Sequence, residues 1–170
     1  KKMDSLIVTT PNFGRDKILT LEASMRDYFA AHPDVPALDC PLKHHFAPGI
    51  YGREMLLPKG SLAVGKLHKH AHLTMIMQGH VSVATEDGVV DYHGPIVLSS
   101  KAGTKRVAYA HEDTIWVTIH LTQSQDLAVI EDEIIAKTYE EFDAFRLSLG
   151  VDTPLLNVVT GLRPLGVKEI

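Results

Sequence analysis

The chain has 170 residues, of which 45% are hydrophobic and 22% are charged, and its formal net charge is −4 with neutral histidines. This length suits one folded domain whose core needs no disulfide, and the single cysteine, Cys40, excludes an internal one. The acidic balance and the lack of a basic block argue against nucleic acid or an anionic membrane surface as a partner. No apolar run reaches the roughly 20 residues of a membrane span, and a cytoplasmic location is expected.

The first 41 residues are predicted to form an arm, a helix and a linker. Residues 4–10 are short, β-branched and apolar, which indicates an arm-like strand that a second subunit could exchange. Apolar residues at helical spacing predict a helix over residues 16–31, ended by His32 and Pro33. The three prolines of residues 32–41 indicate an extended linker.

Short apolar segments separated by turn residues fill residues 42–122 and predict a β domain. The predicted strands cover residues 51–57, 61–68, 72–78, 80–86, 89–92, 95–99, 105–110 and 114–121. Because no helical segment lies between them, an antiparallel sandwich or barrel is favoured. A doubly wound parallel sheet is excluded for lack of crossover helices.

Residues 123–170 are predicted to add a C-terminal helical segment and tail to the same structural domain. An amphipathic helix is expected from residue 124 or 125 to Lys137. Its apolar side consists of Leu127, Ile130, Ile134 and Ile135. Thr138 followed by Glu141 is typical of a capping box and predicts a further helix that Gly150 closes. Residues 151–170 show little periodicity and are expected to be irregular.

Histidines cluster in the stretch GKLHKHAHLTMIMQG, residues 65–79, where three of the ten in the chain lie within five positions. Imidazole is the commonest metal ligand in proteins, although histidine is also an ordinary half-buried residue. On one continuous strand His68 and His72 would lie roughly 13 Å apart, so both can bind one ion only if the chain turns between them. The alternative pair is His68 with His70, neighbours on one face at roughly 6.7 Å.

The stretch just described and HGPIVLSSKAGTKR, residues 93–106, together resemble the two sequence motifs of the cupin superfamily. Those motifs read G-x5-H-x-H-x3–4-E-x6-G and G-x5-P-x-G-x2-H-x3-N. The resemblance extends over residues 50–121 and implies a small antiparallel jelly-roll barrel that holds a metal between its sheets. Within the superfamily, the sequence is most similar to an uncharacterised cupin-like family of bacteria and phages.

Alignment on the closing Gly79 shows which cupin ligand positions this sequence retains. His68 takes the place of the second motif histidine, and His72 takes the place of the motif glutamate. Lys66 and Arg106 stand where the other two cupin ligands, both histidines, are usually found. The resemblance therefore implies a different set of histidine ligands from the usual one.

The resemblance also supplies a turn at residues 69–71, so that His72 opens a new strand and His70 becomes a turn residue. His120, which ends the last predicted strand, is the third expected ligand beside His68 and His72. His70 remains the alternative ligand. Three imidazoles suit Zn, Fe, Ni or Cu, and an open coordination position would suit catalysis or ligand capture.

Other polar residues around the predicted barrel could contact a ligand. A guanidinium at Arg106 offers a fork for a carboxylate or phosphate, and Trp116 is expected in the core or the pocket wall. Tyr51 or Tyr109 is a candidate proton donor, and Glu54 is a candidate base. In the alternative interpretation, Arg106 forms a structural ion pair with Glu54 or with one of two other carboxylates. Those two are Glu112 and Asp113.

The leading functional hypothesis is a metal-binding cupin that binds or converts a small anionic metabolite in the barrel pocket, and a homodimer is expected. A second hypothesis is a metal-free cupin isomerase or epimerase with a histidine base and a tyrosine acid. A third is a non-enzymatic assembly or interaction module, encoded by a phage, whose barrel interior is filled by apolar side chains. Because one fold hosts many reactions, the sequence does not decide whether the chain is an enzyme.

Overall fold

The computed structural model describes residues 14–150 of the chain. The predicted arm at residues 4–10 and the predicted tail at residues 151–170 lie outside the described residues. Three helices are described: α1 (Arg15–Ala31), α2 (Leu127–Ile134) and α3 (Tyr139–Ser148). None of the described helices has the length and apolar character needed to cross a membrane.

Eleven strands are described, all of them between α1 and α3 in the chain. In chain order they are β1 (Leu42–Ala47), β2 (Ile50–Leu57), β3 (Leu62–Val64), β4 (Leu67–His68), β5 (His72–Gln78), β6 (His80–Thr85), β7 (Gly88–His93), β8 (Ile96–Ser100), β9 (Val107–Ala110), β10 (Thr114–Leu121) and β11 (Ile135–Ala136). They form a five-stranded sheet ordered β1-β2-β10-β5-β8, a four-stranded sheet ordered β3-β9-β6-β7, and the small pair β11-β4.

The strand order is that of a jelly roll. Eight main strands remain when β1, β4 and β11 are left out. They pair as β2 with β10, β3 with β9, β5 with β8 and β6 with β7, so that the first strand pairs with the last and each later strand pairs with the next one inwards. All of the pairings with a recorded register are antiparallel. A long antiparallel hairpin rolled over on itself gives this arrangement, which is the jelly-roll barrel.

The main core lies between the two large sheets. Each strand alternates inward and outward side chains, so apolar residues two apart from both sheets meet in the middle. Its fully or nearly buried members are Leu57, Ile76, Val81, Val83, Ala108, Ala110 and Trp116. The predicted mainly β fold with flanking helices is therefore confirmed.

The predicted strand boundaries need two corrections. Residues 42–47 form strand β1, which pairs with β2 although the sequence analysis placed the first strand at residue 51. All six residues of β1 are exposed, so it lacks the alternation that marks a half-buried strand. The predicted strand 61–68 is divided into β3 and β4, and between them the Gly65 amide donates to the Arg106 carbonyl at 2.8 Å.

The N-terminal helix begins and ends within one residue of its predicted bounds, but it packs less deeply than its apolar pattern indicates. Ile18 is its one buried residue, and it contacts Ala84 and Val107 of the four-stranded sheet. Lys105 also forms an ion pair with Glu22 at 2.9 Å. The helix is thus held to the barrel mainly through its first two turns.

The C-terminal segment differs from its prediction at both ends of the first helix. Helix α2 begins after Asp126, whose Oδ1 accepts hydrogen bonds from the amides of Ala128 and Val129 at 2.8 and 3.3 Å. It ends at Ile134 rather than Lys137, because Ile135 and Ala136 pair with β4 instead of continuing the helix.

The predicted capping box starts α3. Thr138 Oγ1 accepts from the Glu141 amide at 3.2 Å, while the Glu141 carboxylate accepts from the Lys137 amide at 2.9 Å. Phe142 of this helix is buried against Leu67 and Ala136. The helix therefore covers the small β4–β11 pair.

Gly103 makes this packing possible. Its backbone has φ +75°, and a Cβ at this position would lie 2.5 Å from Cζ of Phe142. Its amide also donates to the His68 carbonyl at 2.9 Å. Only glycine combines this left-handed conformation with such a close approach of an aromatic ring.

We expect Gly103→Ala to destabilise the protein more than Gly60→Ala. Gly60 also has positive φ (+84°), but no atom would contact its added Cβ. The control, Gly60→Ala, should therefore lower the free energy of unfolding by about 1–2 kcal/mol through left-handed backbone strain alone. Gly103→Ala should lower it by at least about 1 kcal/mol more, because Phe142 must also move. Urea denaturation measures both losses, and equal losses would contradict the packing role of Gly103.

Candidate metal centre

The chain turns sharply between His68, which ends β4, and His72, which begins β5. Residues 69 and 70 form a bend rather than a strand, as the cupin alignment implies. The turn is held from outside by the C-terminal segment: the Lys69 amide donates to the Ile134 carbonyl at 2.8 Å, and Ile135 pairs with His68. The two histidine rings consequently face each other, with centroids 4.2 Å apart.

His120 comes to the same place from the end of β10. Strand β10 runs beside both β2 and β5, so the His120 ring reaches the two histidines of the turn. Its centroid lies 4.9 Å from that of His68 and 4.6 Å from that of His72. The structure thus brings together His68, His72 and His120.

The three rings offer nitrogen atoms at a spacing that suits one metal ion. One ring nitrogen of each lies within 4.8 Å of one from each of the others. His68 Nδ1, His72 Nε2 and His120 Nε2 are shielded from solvent and have no hydrogen-bond partner in the described structure. Buried polar atoms are normally satisfied, so three unpartnered nitrogens at one point fit a bound cation.

A backbone hydrogen bond orients one of these rings. His72 Nδ1 donates to the His70 carbonyl at 3.2 Å, which places the proton on Nδ1 and leaves Nε2 with its lone pair. His70 therefore contributes its backbone to the centre, whereas its ring is exposed and lies edge-on to Phe145 at 5.1 Å. The structure does not bring the His70 ring into the group.

The environment keeps the three histidines neutral. Burial and the neighbouring His72 lower the pKa of His68 to about 2. Burial and the same neighbour lower the pKa of His120 to about 4, and burial lowers the pKa of His72. Neutral imidazole is the form that binds metals, so at neutral pH all three retain lone pairs for an ion.

A cavity of about 170 Å³ adjoins the histidines and is lined by both large sheets. Trp116, Met55 and Leu57 contribute an apolar wall, and Arg53 and Arg106 contribute cationic groups. The polar remainder includes Thr74 and Thr118. None of the lining residues is a carboxylate.

Neither arginine of the cavity has an acidic partner. No carboxylate of residues 14–150 lies within ion-pair distance of Arg53 or Arg106, so the alternative pairing of Arg106 with Glu54, Glu112 or Asp113 is not formed. Burial lowers the pKa of Arg106, which reflects the cost of holding its charge away from water. A half-buried guanidinium without an acidic partner is a favourable contact for an anionic ligand.

Two predicted catalytic residues lie away from the cavity. Glu54 follows Arg53 on β2 and therefore points to the other face of the strand, where it contacts Lys43 at 3.1 Å and His45 at 2.9 Å. Tyr109 is 42% exposed on β9 and follows Ala108, which lines the cavity. Strand alternation thus separates Glu54 and Tyr109 from the histidine group.

Tyr51 lies behind the histidines rather than in the cavity lining. It is buried, its ring centroid is 6.4 Å from that of His120, and its hydroxyl is hydrogen-bonded to His44 Nδ1 at 2.8 Å. Burial raises the pKa of its hydroxyl. Its contacts support the His120 ring from the side of β2.

Sequence reasoning missed Arg53 and the backbone of His70. Arg53 alternates with Tyr51, Met55 and Leu57 on the inward face of β2, and this alternation was the one available signal for it. The role of the His70 carbonyl has no sequence signal, because any residue in that turn offers a carbonyl.

The strand pairing defines a jelly-roll barrel, and His68 and His72 line its cavity. The predicted antiparallel jelly-roll fold is confirmed by the strand order, whereas the cupin superfamily and the narrower family of bacteria and phages stay predictions. No family model matches the sequence, and no curated protein matches it.

The solved structures similar to this chain include three proteins of different names. A cupin superfamily protein from Desulfitobacterium hafniense shares 13% identity, with 51% of this chain and 81% of that chain covered and a TM-score of 0.44. Ectoine synthase from P. lautus shares 12% identity over 58% of this chain and 75% of its own, with a TM-score of 0.47. KdgF from Halomonas sp. shares 14% identity over 56% of this chain and 95% of its own, with a TM-score of 0.45.

The lowered pKa values predict that the metal-free protein loses stability as the pH falls below about 6.5, the ordinary histidine value. Below that pH, His68 and His120 bind protons in the unfolded chain but stay neutral in the folded protein. The free energy of unfolding therefore falls. Each such histidine contributes at most about 1.4 kcal/mol per pH unit. Urea denaturation in chelator between pH 7 and pH 5 measures this slope above the range where carboxylates titrate. A His120→Asn variant should show a smaller slope, and a flat wild-type profile would contradict the neutral state of the group.

Proposed function

We propose that this chain is a metal-binding cupin that binds or converts a small anionic metabolite in its cavity, and that it does so as a homodimer. The observation that carries the proposal is the juxtaposition of two kinds of unsatisfied groups. Three neutral histidines have unpartnered nitrogens at one point, and two arginines without acidic partners line the adjoining cavity. A cation and an anion together would satisfy both.

His68, His72 and His120 would hold the metal ion. Three neutral nitrogen donors suit Zn, Fe, Ni or Cu, in keeping with the ligand preferences of these ions. When bound, such an ion acts as a Lewis acid that polarises an oxygen atom of a ligand. The hydrogen bond from His72 Nδ1 to the His70 carbonyl holds the proton on Nδ1, so that His72 Nε2 would bind the ion.

Arg53 and Arg106 would bind the anionic group of the metabolite. They approach the cavity from different elements, Arg53 from β2 and Arg106 from the segment before β9. A guanidinium presents paired donors to a carboxylate or a phosphate, and its attraction is strengthened where water is excluded. Trp116 forms part of the apolar wall of the cavity.

The other two hypotheses have less support from the described residues. A metal-free isomerase needs a tyrosine acid in the cavity, but the Tyr51 hydroxyl is bonded to His44 and Tyr109 faces outward. An assembly module was expected to have a filled barrel, whereas the described part of the barrel encloses a cavity. A carboxylate base is also missing from the cavity lining, which favours binding or metal-assisted chemistry over proton abstraction by Glu54.

Metal content tests the first part of the proposal. Purified protein should retain a transition metal through dialysis, and His72→Gln should lose it because one donor is removed. The control His32→Gln changes an exposed histidine that directly follows α1 and stacks on Tyr28. Adding the lost metal at 100 times its dissociation constant should stabilise the wild type by about 2.7 kcal/mol and should not stabilise the variant.

His120→Asn gives a second, independent removal of a donor in case His72→Gln does not fold. Protein without transition metal, with no stabilisation by added Zn, Fe, Ni or Cu, would remove the proposal of a metal centre. Sedimentation of the same wild-type sample tests the homodimer, and a monomer at all concentrations would contradict it.

Anion binding tests the second part. We expect small carboxylates or phosphate esters to bind the metal-loaded protein, and Arg106→Gln or Arg53→Gln to weaken the binding by at least about tenfold. This is the size expected for losing a hydrogen bond to a charged group, about 1.5–3 kcal/mol. Calorimetric titration of both variants, with Arg26→Gln on the exposed surface of α1 as the control, measures the effect. Equal anion affinities in the wild type, the two cavity variants and the control would exclude the arginines as anion ligands.

A further inference from the structure

A second group of histidines lies on the outer face of the four-stranded sheet. In strands β9, β6 and β7, alternate residues point away from the barrel, because their neighbours Val81, Val83, Ala108 and Ala110 are buried in the core. The outward positions at one end of these strands, including the turn after β9, carry polar side chains. They are His80, Ser82, Asp91, His93, Tyr109 and His111.

Backbone pairing fixes these side chains in register. His80 lies directly opposite His93, and Ser82 lies opposite Asp91. The turn after β9 is tied to the same point, since the His111 amide donates to the His80 carbonyl at 2.8 Å. The residues from three segments are therefore held by the sheet itself and not by flexible side-chain contacts.

The donor atoms converge in the way that a metal site requires. His80, Asp91 and His111 each offer a nitrogen or oxygen within 4.8 Å of one from each of the other two. The Ser82 hydroxyl contacts the Asp91 carboxylate and lies 2.6 Å from His111 Nε2. It therefore sits among donors that a cation would bind.

The imidazole rings pack against one another as well. The His80 ring is stacked between that of His93, at a centroid distance of 3.9 Å, and that of His111, at 4.2 Å. His80 Nε2 is shielded from solvent and has no hydrogen-bond partner in the described structure.

We propose that His80, His111 and Asp91 form a second site for a divalent transition metal, of the Zn²⁺ class. Two imidazoles and one carboxylate are a donor set that Zn²⁺ accepts, with a further coordination position left for water. His93 supports the site by stacking on His80, which limits the orientations of that ring. The ion would link β6, β7 and the turn after β9.

This site is separate from the centre in the barrel. Ala108 lines the cavity, whereas Tyr109, the next residue of β9, lies on the outer face with its ring edge-on to His111 at 4.9 Å. The sheet stands between the two groups of histidines. No cavity residue belongs to the outer group, so either site can be removed while the other is kept.

Equilibrium dialysis with Zn²⁺ alone tests the second site. We expect two equivalents of Zn²⁺ in the wild type and one in His111→Gln or Asp91→Asn, with affinity for the outer site reduced at least about tenfold. His72→Gln should also bind one equivalent, and His72→Gln with His111→Gln should bind none. His32→Gln is the matched control and should bind two.

The outcomes separate this proposal from the centre in the barrel. If only the barrel centre fails, the wild type binds one equivalent, which His111→Gln removes and His72→Gln keeps. If only the outer site fails, the single equivalent is removed by His72→Gln and is untouched by His111→Gln and Asp91→Asn, and the proposal is overturned. Equal losses in His32→Gln and His111→Gln would also overturn it, because binding would then be unspecific. Asp91→Asn preserves the shape of the side chain, and thermal unfolding checks that each variant is folded.

Discussion

The turn between His68 and His72 is the constraint on which the candidate metal centre depends. Four positions of extended chain would carry the two rings far apart, and only a reversal of the backbone lets them face each other. This reversal is not stabilised by its own residues alone. The amide of Lys69 is bonded to Ile134, and β11 supplies the strand that β4 needs as a partner. The C-terminal helices thus contribute to a site in which none of their side chains takes part.

A second consequence of the turn is the electrostatic state of the cavity. Burial and the packing of the imidazoles against one another disfavour their protonation, and two half-buried arginines without acidic partners line the adjoining cavity. Each feature is unfavourable when considered alone, because buried polar groups need partners. Taken together they describe a pocket that is complementary to a metal ion and an anion, and such local departures from stable packing are typical of functional sites.

Strand alternation explains why two histidine groups coexist on one small barrel. Inward positions of β2, β5 and β10 supply the cavity, and outward positions of β6 and β7 supply the second group. The same alternation accounts for the residues that sequence reasoning associated with the cavity but that lie elsewhere. Glu54 is one position away from Arg53 and Tyr109 is one position away from Ala108, and one position is enough to reverse the face of a strand.

The sequence by itself determined the β architecture, the flanking helices and the histidine stretch that contains His68 and His72, because short apolar segments, turn glycines and histidine spacing are local features. The tertiary structure decided the rest. Strand β1 has no buried face, and the end of α2 depends on pairing with a strand about 70 residues earlier in the chain. Arg53 reaches the cavity, and His80 meets His111, only through the register of neighbouring strands. Register is set by contacts between distant segments, and these leave no local signal in the sequence.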